Sequence, residues 1–340
     1  MKLTHAGLFE GYGGTTMAAA AVLGEIDTRW YSDIKPASQT LMEHRHPKLP
    51  NLGDMTAVTW SDVEPVDVLT ASWPCQPHSS AGRRLGEADP RALWPHVARA
   101  VDELRPRVFL GENVARITSN GELRRVARSL ADLGYVGAWR CGNASDVGAP
   151  HRRSRCFVVA VREDLAAANS FAAGRPAGSG LGGSAGTAAL GNDHAASAAG
   201  LKLLKTPTAD LATNGGTQHP DKRKAGRHGP TLADEVEWLS PIVDWREYEA
   251  AIRRWETTLG RSAPAPTTPG LRAPHRPQLS AAFAEWMMGL PAGWVTDVPG
   301  LTRGQQLSLL GDGVVPQQGA AAFGPLLDHL LGIGASEAAA

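Results

Sequence analysis

From the N-terminus to residue 165 the chain alternates short apolar runs with amphipathic stretches, and this alternation narrows the fold more than any other feature. Leu3–Phe9, Thr28–Ser32, Val66–Ala71, Arg107–Leu110 and Arg155–Val161 read as strands. Thr15–Leu23, Leu93–Leu104 and Gly121–Leu133 read as helices, with Leu93, Val97, Val101 and Leu104 on one face of the second. Strands separated by helices predict an α/β fold with a mostly parallel sheet.

The pattern breaks after residue 165. Of the residues from 166 to 200, 13 are Ala and 8 are Gly, which predicts a linker with little to bury. Residues 201–275 hold clustered charge and one helix, Trp245–Leu259. Regular patterning resumes with helices at Leu279–Met288, Thr302–Leu310 and Val314–Leu331. The expected organisation is therefore a first domain over 1–165, a variable region over 166–275, and elements over 276–335 that return to the first domain.

Charge excludes one class of function. Lys plus Arg and Asp plus Glu are 34 each, so the chain does not coat nucleic acid by bulk positive charge. A local cleft remains open to it, because residues 201–228 carry six basic against two acidic side chains, including Lys222, Arg223, Lys224 and Arg227. Three Cys make neither a disulfide framework nor a four-Cys zinc site. No secretory h-region or membrane-length apolar run is present, so a cytoplasmic protein without membrane association is expected.

Six short segments carry residues suited to chemistry. Phe9-Glu10-Gly11-Tyr12-Gly13-Gly14 joins a strand to a helix, as a ligand-cradling turn or an ordinary tight one. Asp33 follows the second strand, where an acid commonly meets ribose hydroxyls; Asp54 precedes a third segment. Either is also an ordinary loop carboxylate or helix cap. Cys75, in Pro74-Cys75-Gln76, follows the strand Val66–Ala71 and is either a nucleophile or a structural thiol. Cys141 and Cys156 suit a structural role better. Glu112-Asn113-Val114 places a carboxyl at the same sheet edge, as a proton donor or a helix cap pair. In His151-Arg152-Arg153-Ser154-Arg155, an extended backbone would point Arg153 and Arg155 the same way, although such a run is also commonly a solvated one. Gly311-Asp312-Gly313 predicts a turn that opens a helix, whose amides could close over a ligand.

In this order, the glycine turn, the acidic site, Pro-Cys-Gln, Glu-Asn-Val, Arg-x-Arg and the terminal Gly-x-Gly-Val-Val resemble the DNA cytosine-5 methyltransferases of bacteria and phages. The resemblance covers roughly residues 5–165 and 276–325. It implies a Rossmann-like fold for S-adenosylmethionine, with a smaller target-recognition domain formed by residues 166–275. It implies that Cys75 adds to C6 of a flipped cytosine while Glu112 assists at N3, and that Arg153 and Arg155 hold the target nucleotide. On the cofactor side it implies Phe9, Gly11, Gly13, Asp33, Ile34, Asp54, Met55, Pro74, Leu93, Gly313 and Val314. Toward double-stranded DNA it implies Ser79, Arg83 and Arg84 in the loop after Pro-Cys-Gln, with Lys222, Arg223, Lys224 and Arg227 on phosphates. A monomer is expected, and the family setting allows a cognate restriction endonuclease acting separately.

Four positions depart from the family pattern. His151 stands where Gln is frequent, Asp312 where Asn is usual, and Gly7 and Glu10 replace the familiar acidic and small residues of the first loop. A transfer-RNA methyltransferase of the same fold would carry a Cys-Phe-Thr element that this sequence lacks. A nicotinamide oxidoreductase explains only the glycine turn. A DNA-binding regulator on a decayed scaffold has no use for an intact Cys75 and Glu112.

Overall fold

The structure is a computed structural model and describes residues 2–74, 92–170, 188–189, 200–214, 229–237, 239, 244–270 and 277–333. Its centre is a sheet in the order β2 (Ile26–Ser32), β1 (Leu3–Leu8), β3 (Val68–Ala71), β4 (Val108–Val114), β6 (Ser154–Arg162), β5 (Tyr135–Asn143), closed by the two-residue β7 (Ala188–Ala189). The first four strands run parallel, and β6 runs antiparallel to both β4 and β5. The expected mostly parallel α/β sheet is what the chain forms.

Alternation along the strands sorts side chains onto two faces. On β6, Phe157, Val159 and Val161 join one core with Ala18, Phe323 and Leu326, while Val158 and Ala160 join the opposite core with Val97, Phe109 and Val126. The first face is covered by α1 (Gly14–Leu23) and the C-terminal α11 (Pro316–Leu331). The second is covered by α3 (Trp94–Leu104) and α4 (Glu122–Asp132). A Cβ on Gly319 would stand 2.6 Å from that of Ala18, so the missing side chain lets α11 press against α1. Residues near the two ends of the chain thus share one layer.

A third core forms mainly among the C-terminal helices. Trp245, Ile252, Trp255, Phe283, Trp286 and Leu310 fill it, on helices that include α8 (Glu249–Leu259), α9 (Ala281–Met287) and α10 (Arg303–Asp312). Trp286, Met287 and Met288 are fully buried there. Glu285 anchors the turn after α9, accepting from the amides of Gly293 (2.8 Å), Val295 (2.5 Å) and Thr296 (3.1 Å).

Several elements differ from the sequence expectations. Strand β5 was not legible, because Gly137, Arg140 and Gly142 interrupt its apolar pattern. Helix α2 (Pro36–Arg45) likewise has no apolar pattern to announce it; its mean character is polar, and Pro36 at the first position is its main signal. Helix α5 (Glu163–Ser170) extends into the stretch expected to be linker. Helix α11 begins at Pro316, two residues after its expected start.

Candidate active site

Strand β1 leads by α1 to β2 on one side, and the chain then returns to β3 on the other. The topological switch point therefore lies at the carboxyl ends of β1 and β3, where open α/β sheets bind ligands. A cavity of about 330 Å³ lies there. Its walls bring together Phe9, Gly11, Asp33, Ile34, Asp54, Met55, Pro74, Leu93, Gly313 and Val314, along with Glu112 and Arg155. Gly13 is not in the wall; it is the residue before α1, at φ 86°. Cys75, Ser79, Arg83, Arg84, Lys222, Arg223, Lys224 and Arg227 lie outside the described residues.

The glycine turn is held from two directions. Gly11 has φ 59°, and its amide donates to Asp33 Oδ2 at 2.8 Å. Ser38 Oγ donates to the Gly11 carbonyl at 2.8 Å. From the C-terminal side, the Tyr12 hydroxyl donates to the Val314 carbonyl at 2.7 Å, and Trp294 Nε1 donates to the Tyr12 carbonyl at 2.8 Å. Asp33 is buried, and its other oxygen accepts from the Lys35 amide at 2.8 Å. Ile34 beside it is 65% exposed, a bare apolar side chain at the cavity mouth. Asp54 is exposed, and its bonds from Thr56 hold its carboxyl below the usual range.

The other end of the cavity is ionic. Glu112 and Asn113 lie inside β4 and do not cap a helix. Asn113 Nδ2 donates to the Trp73 carbonyl at 2.9 Å, which ties the segment entering Cys75 to β4. Glu112 pairs across the antiparallel strands with the guanidinium of Arg155, Nε to Oε1 at 2.8 Å. Burial pushes the Glu112 carboxyl up, against the pull of Arg155 and then Arg153.

Arg153 and Arg155 do not share a role in the fold. Arg153 precedes β6 with φ 34°, so strand alternation does not apply to it. Its guanidinium is buried and donates to the carbonyls of Pro207 (3.2 Å), Gly311 (3.1 Å) and Gly313. It ties the start of β6 to the end of α10, while Arg155 alone of the two reaches the cavity wall. His151 is buried and donates from Nε2 to the Met287 carbonyl at 3.0 Å; burial holds it neutral, at about 3.

The Gly311–Gly313 segment also differs from expectation, since it ends α10 and does not open α11. Asp312 pairs with Lys35 Nζ at 2.7 Å; both residues line the cavity. A Cβ on Gly311 would lie 2.1 Å from the Ala209 amide nitrogen and 2.2 Å from the Thr208 carbonyl carbon. Ala is favoured over Gly in a helix by about 1 kcal/mol, but a backbone collision costs about 1–3 kcal/mol and wins. Gly311→Ala should therefore lower stability, measured as a reduced urea midpoint at unchanged slope.

The sheet order and the position of the cavity at its switch point define a Rossmann-like α/β fold. The model of the C-5 cytosine-specific DNA methylase family matches residues 3–195, and the chain belongs to that family. The Type II methyltransferase M.NlaIV of Neisseria lactamica is 33% identical over 139 residues, 38% of this chain and 33% of that protein. M.BsuFI of Bacillus subtilis is 33% identical over 183 residues, 52% of this chain and 44% of its own. The chain thus spans a third to a half of the length of these curated relatives. Among solved structures, a Spodoptera frugiperda DNMT2 superposes with TM-score 0.59 at 15% identity, covering 97% of this chain and 99% of that one. A putative DNA modification methyltransferase from an Escherichia coli prophage gives 0.53 at 18%, covering 97% and 100%. At these identities the likeness is one of fold.

Proposed function

We propose that the chain is a DNA cytosine-5 methyltransferase that uses S-adenosylmethionine. The observation that carries this is the cavity itself. At one end, the Asp33 carboxylate and the bare Ile34 side chain suit a ribose and a purine ring. At the other, the buried Glu112–Arg155 pair faces the segment that leads into Cys75. The cofactor fits this donor set, and when bound it supplies the methyl group. Phe9, Gly11, Gly13, Asp54, Met55, Pro74, Leu93, Gly313 and Val314 belong to its site in this reading.

The chain's own residues then act on the cytosine. The Cys75 thiolate adds to C6, Glu112 holds N3 and gives it a proton, and the electron pair develops at C5. Arg155 orients the Glu112 carboxyl. After C5 has gained its methyl, the C5 proton passes to solvent, the double bond reforms as the thiolate leaves, and N3 returns its proton to Glu112. Arg153 acts as a positioning residue through the carbonyls it holds. Ser79, Arg83 and Arg84 contact double-stranded DNA, and residues 166–275, with Lys222, Arg223, Lys224 and Arg227, form the target-recognition region. The protein works as a monomer in a bacterial cytoplasm, beside any cognate endonuclease.

The test is methyl transfer from labelled S-adenosylmethionine to duplex DNA and to transfer RNA. Label in DNA as 5-methylcytosine is the expected result. No label in DNA from folded, cofactor-binding protein would overturn the reading.

A further inference from the structure

The departure at Gly7 and Glu10 has a geometric explanation. Gly7 lies on β1 opposite Thr70 of β3. A Cβ on Gly7 would stand 1.7 Å from Glu10 Oε2 and 2.8 Å from Glu10 Cδ. The Glu10 carboxyl therefore folds back over a bare Cα and fills the place that a side chain at residue 7 would take. Its Oε1 accepts from Thr16 Oγ1 at 2.6 Å, and Oε2 has no hydrogen-bond donor among the described residues. Glu10 is 8% exposed and lines the cavity. A buried carboxylate with one unpartnered oxygen at a cavity wall is a site for a cation that donates N–H.

Position along the sheet edge identifies the cation. Asp33 and Ile34 follow β2, Glu10 follows β1, Pro74 follows β3, and Glu112 lies on β4. With the nucleoside over β2 and the methyl delivered beside Pro74 and Glu112, the amino-acid end of the cofactor falls near β1. We propose that the Glu10 carboxylate binds the α-ammonium group of S-adenosylmethionine, standing in for an acidic side chain at position 7. The sulfonium has no N–H to offer, which leaves the ammonium as the partner. The proposal rests on the methyltransferase reading.

The groups around Glu10 give the interaction a pH dependence. Burial raises its carboxyl to about 7, opposed by the Thr16 hydrogen bond and aided by the charge of Asp33. Tyr31 is its other titratable neighbour, while β3 contributes the uncharged Thr70 and α1 the uncharged Thr16. An ammonium favours the ionised carboxylate, so binding near neutral pH releases a proton. Affinity should fall as pH drops through about 7.

Calorimetric titration with S-adenosylmethionine tests this without any turnover. Glu10→Gln should bind about 10- to 100-fold more weakly at mildly alkaline pH and lose both the proton release and the acid-side decline. The amino-acid-free probe 5′-methylthioadenosine should bind the native protein and Glu10→Gln alike. The double variant Gly7→Asp with Glu10→Ala should restore S-adenosylmethionine affinity to within about threefold of native, and decides the matter if Glu10→Gln does not fold. Equal S-adenosylmethionine affinity for native and Glu10→Gln overturns the proposal. So does an equal loss of 5′-methylthioadenosine binding, or a double variant that stays more than about 10-fold weak. Failure of the native protein to bind S-adenosylmethionine overturns the methyltransferase reading and this proposal with it.

Discussion

Cys75→Ser should abolish methyl transfer while leaving S-adenosylmethionine and DNA binding intact. A hydroxyl has nearly the size of a thiol but does not ionise near neutral pH, and only the anion adds to C6. The expected loss in rate is roughly 10³-fold or more, the scale seen when a covalent nucleophile is removed. Single-turnover transfer to duplex DNA reads this directly. A companion measurement uses a duplex carrying 5-fluorocytosine at the target. The fluorine cannot leave as a cation, so the native protein should remain covalently attached and the Cys75→Ser variant should not. Transfer by Cys75→Ser at the native rate would remove Cys75 from the mechanism.

Glu112→Gln should lower the transfer rate by about 10²–10⁴-fold, the range for a positioned proton donor. The physical basis is the buried pair. Burial raises the Glu112 carboxyl above its ordinary value, which favours the protonated form that donation to N3 requires. Arg155 at 2.8 Å draws it back toward ionisation. Transfer by the native protein should decline as pH rises through the Glu112 pKa, and Glu112→Gln should lack that limb. For stability the sign is the opposite of an exposed salt-bridged acid. A carboxyl whose pKa is raised on folding contributes stability at pH below its unfolded value, and the contribution is lost as pH rises through the folded value. Arg155→Met should therefore raise the carboxyl further and move the limb to higher pH. A limb that stays put in Arg155→Met would separate the two groups.

Much of this molecule is legible in the order of its residues. Short continuous apolar strands, glycine turns and a helix face such as Val97, Val101 and Leu104 are local patterns, and local sterics decide them. The same holds for placing Glu112 at the sheet edge, since it lies near the carboxyl end of the apolar strand β4. What resists reading is interrupted or polar, as in β5 and α2, where tertiary packing overrides weak propensity.

The sequence by itself determined strands β1 to β4 and β6 and several of the side chains that line the cavity at the sheet edge. Tertiary structure alone decided how those side chains are used. Arg153 and Arg155 are two residues apart, yet one clamps Gly311 and Gly313 and the other meets Glu112. Gly7 and Glu10 look like two unrelated departures until the backbone turn lays the carboxyl of one over the Cα of the other. Alternation is set by each residue's own backbone, whereas a contact is set by which distant segment the packed core brings within reach.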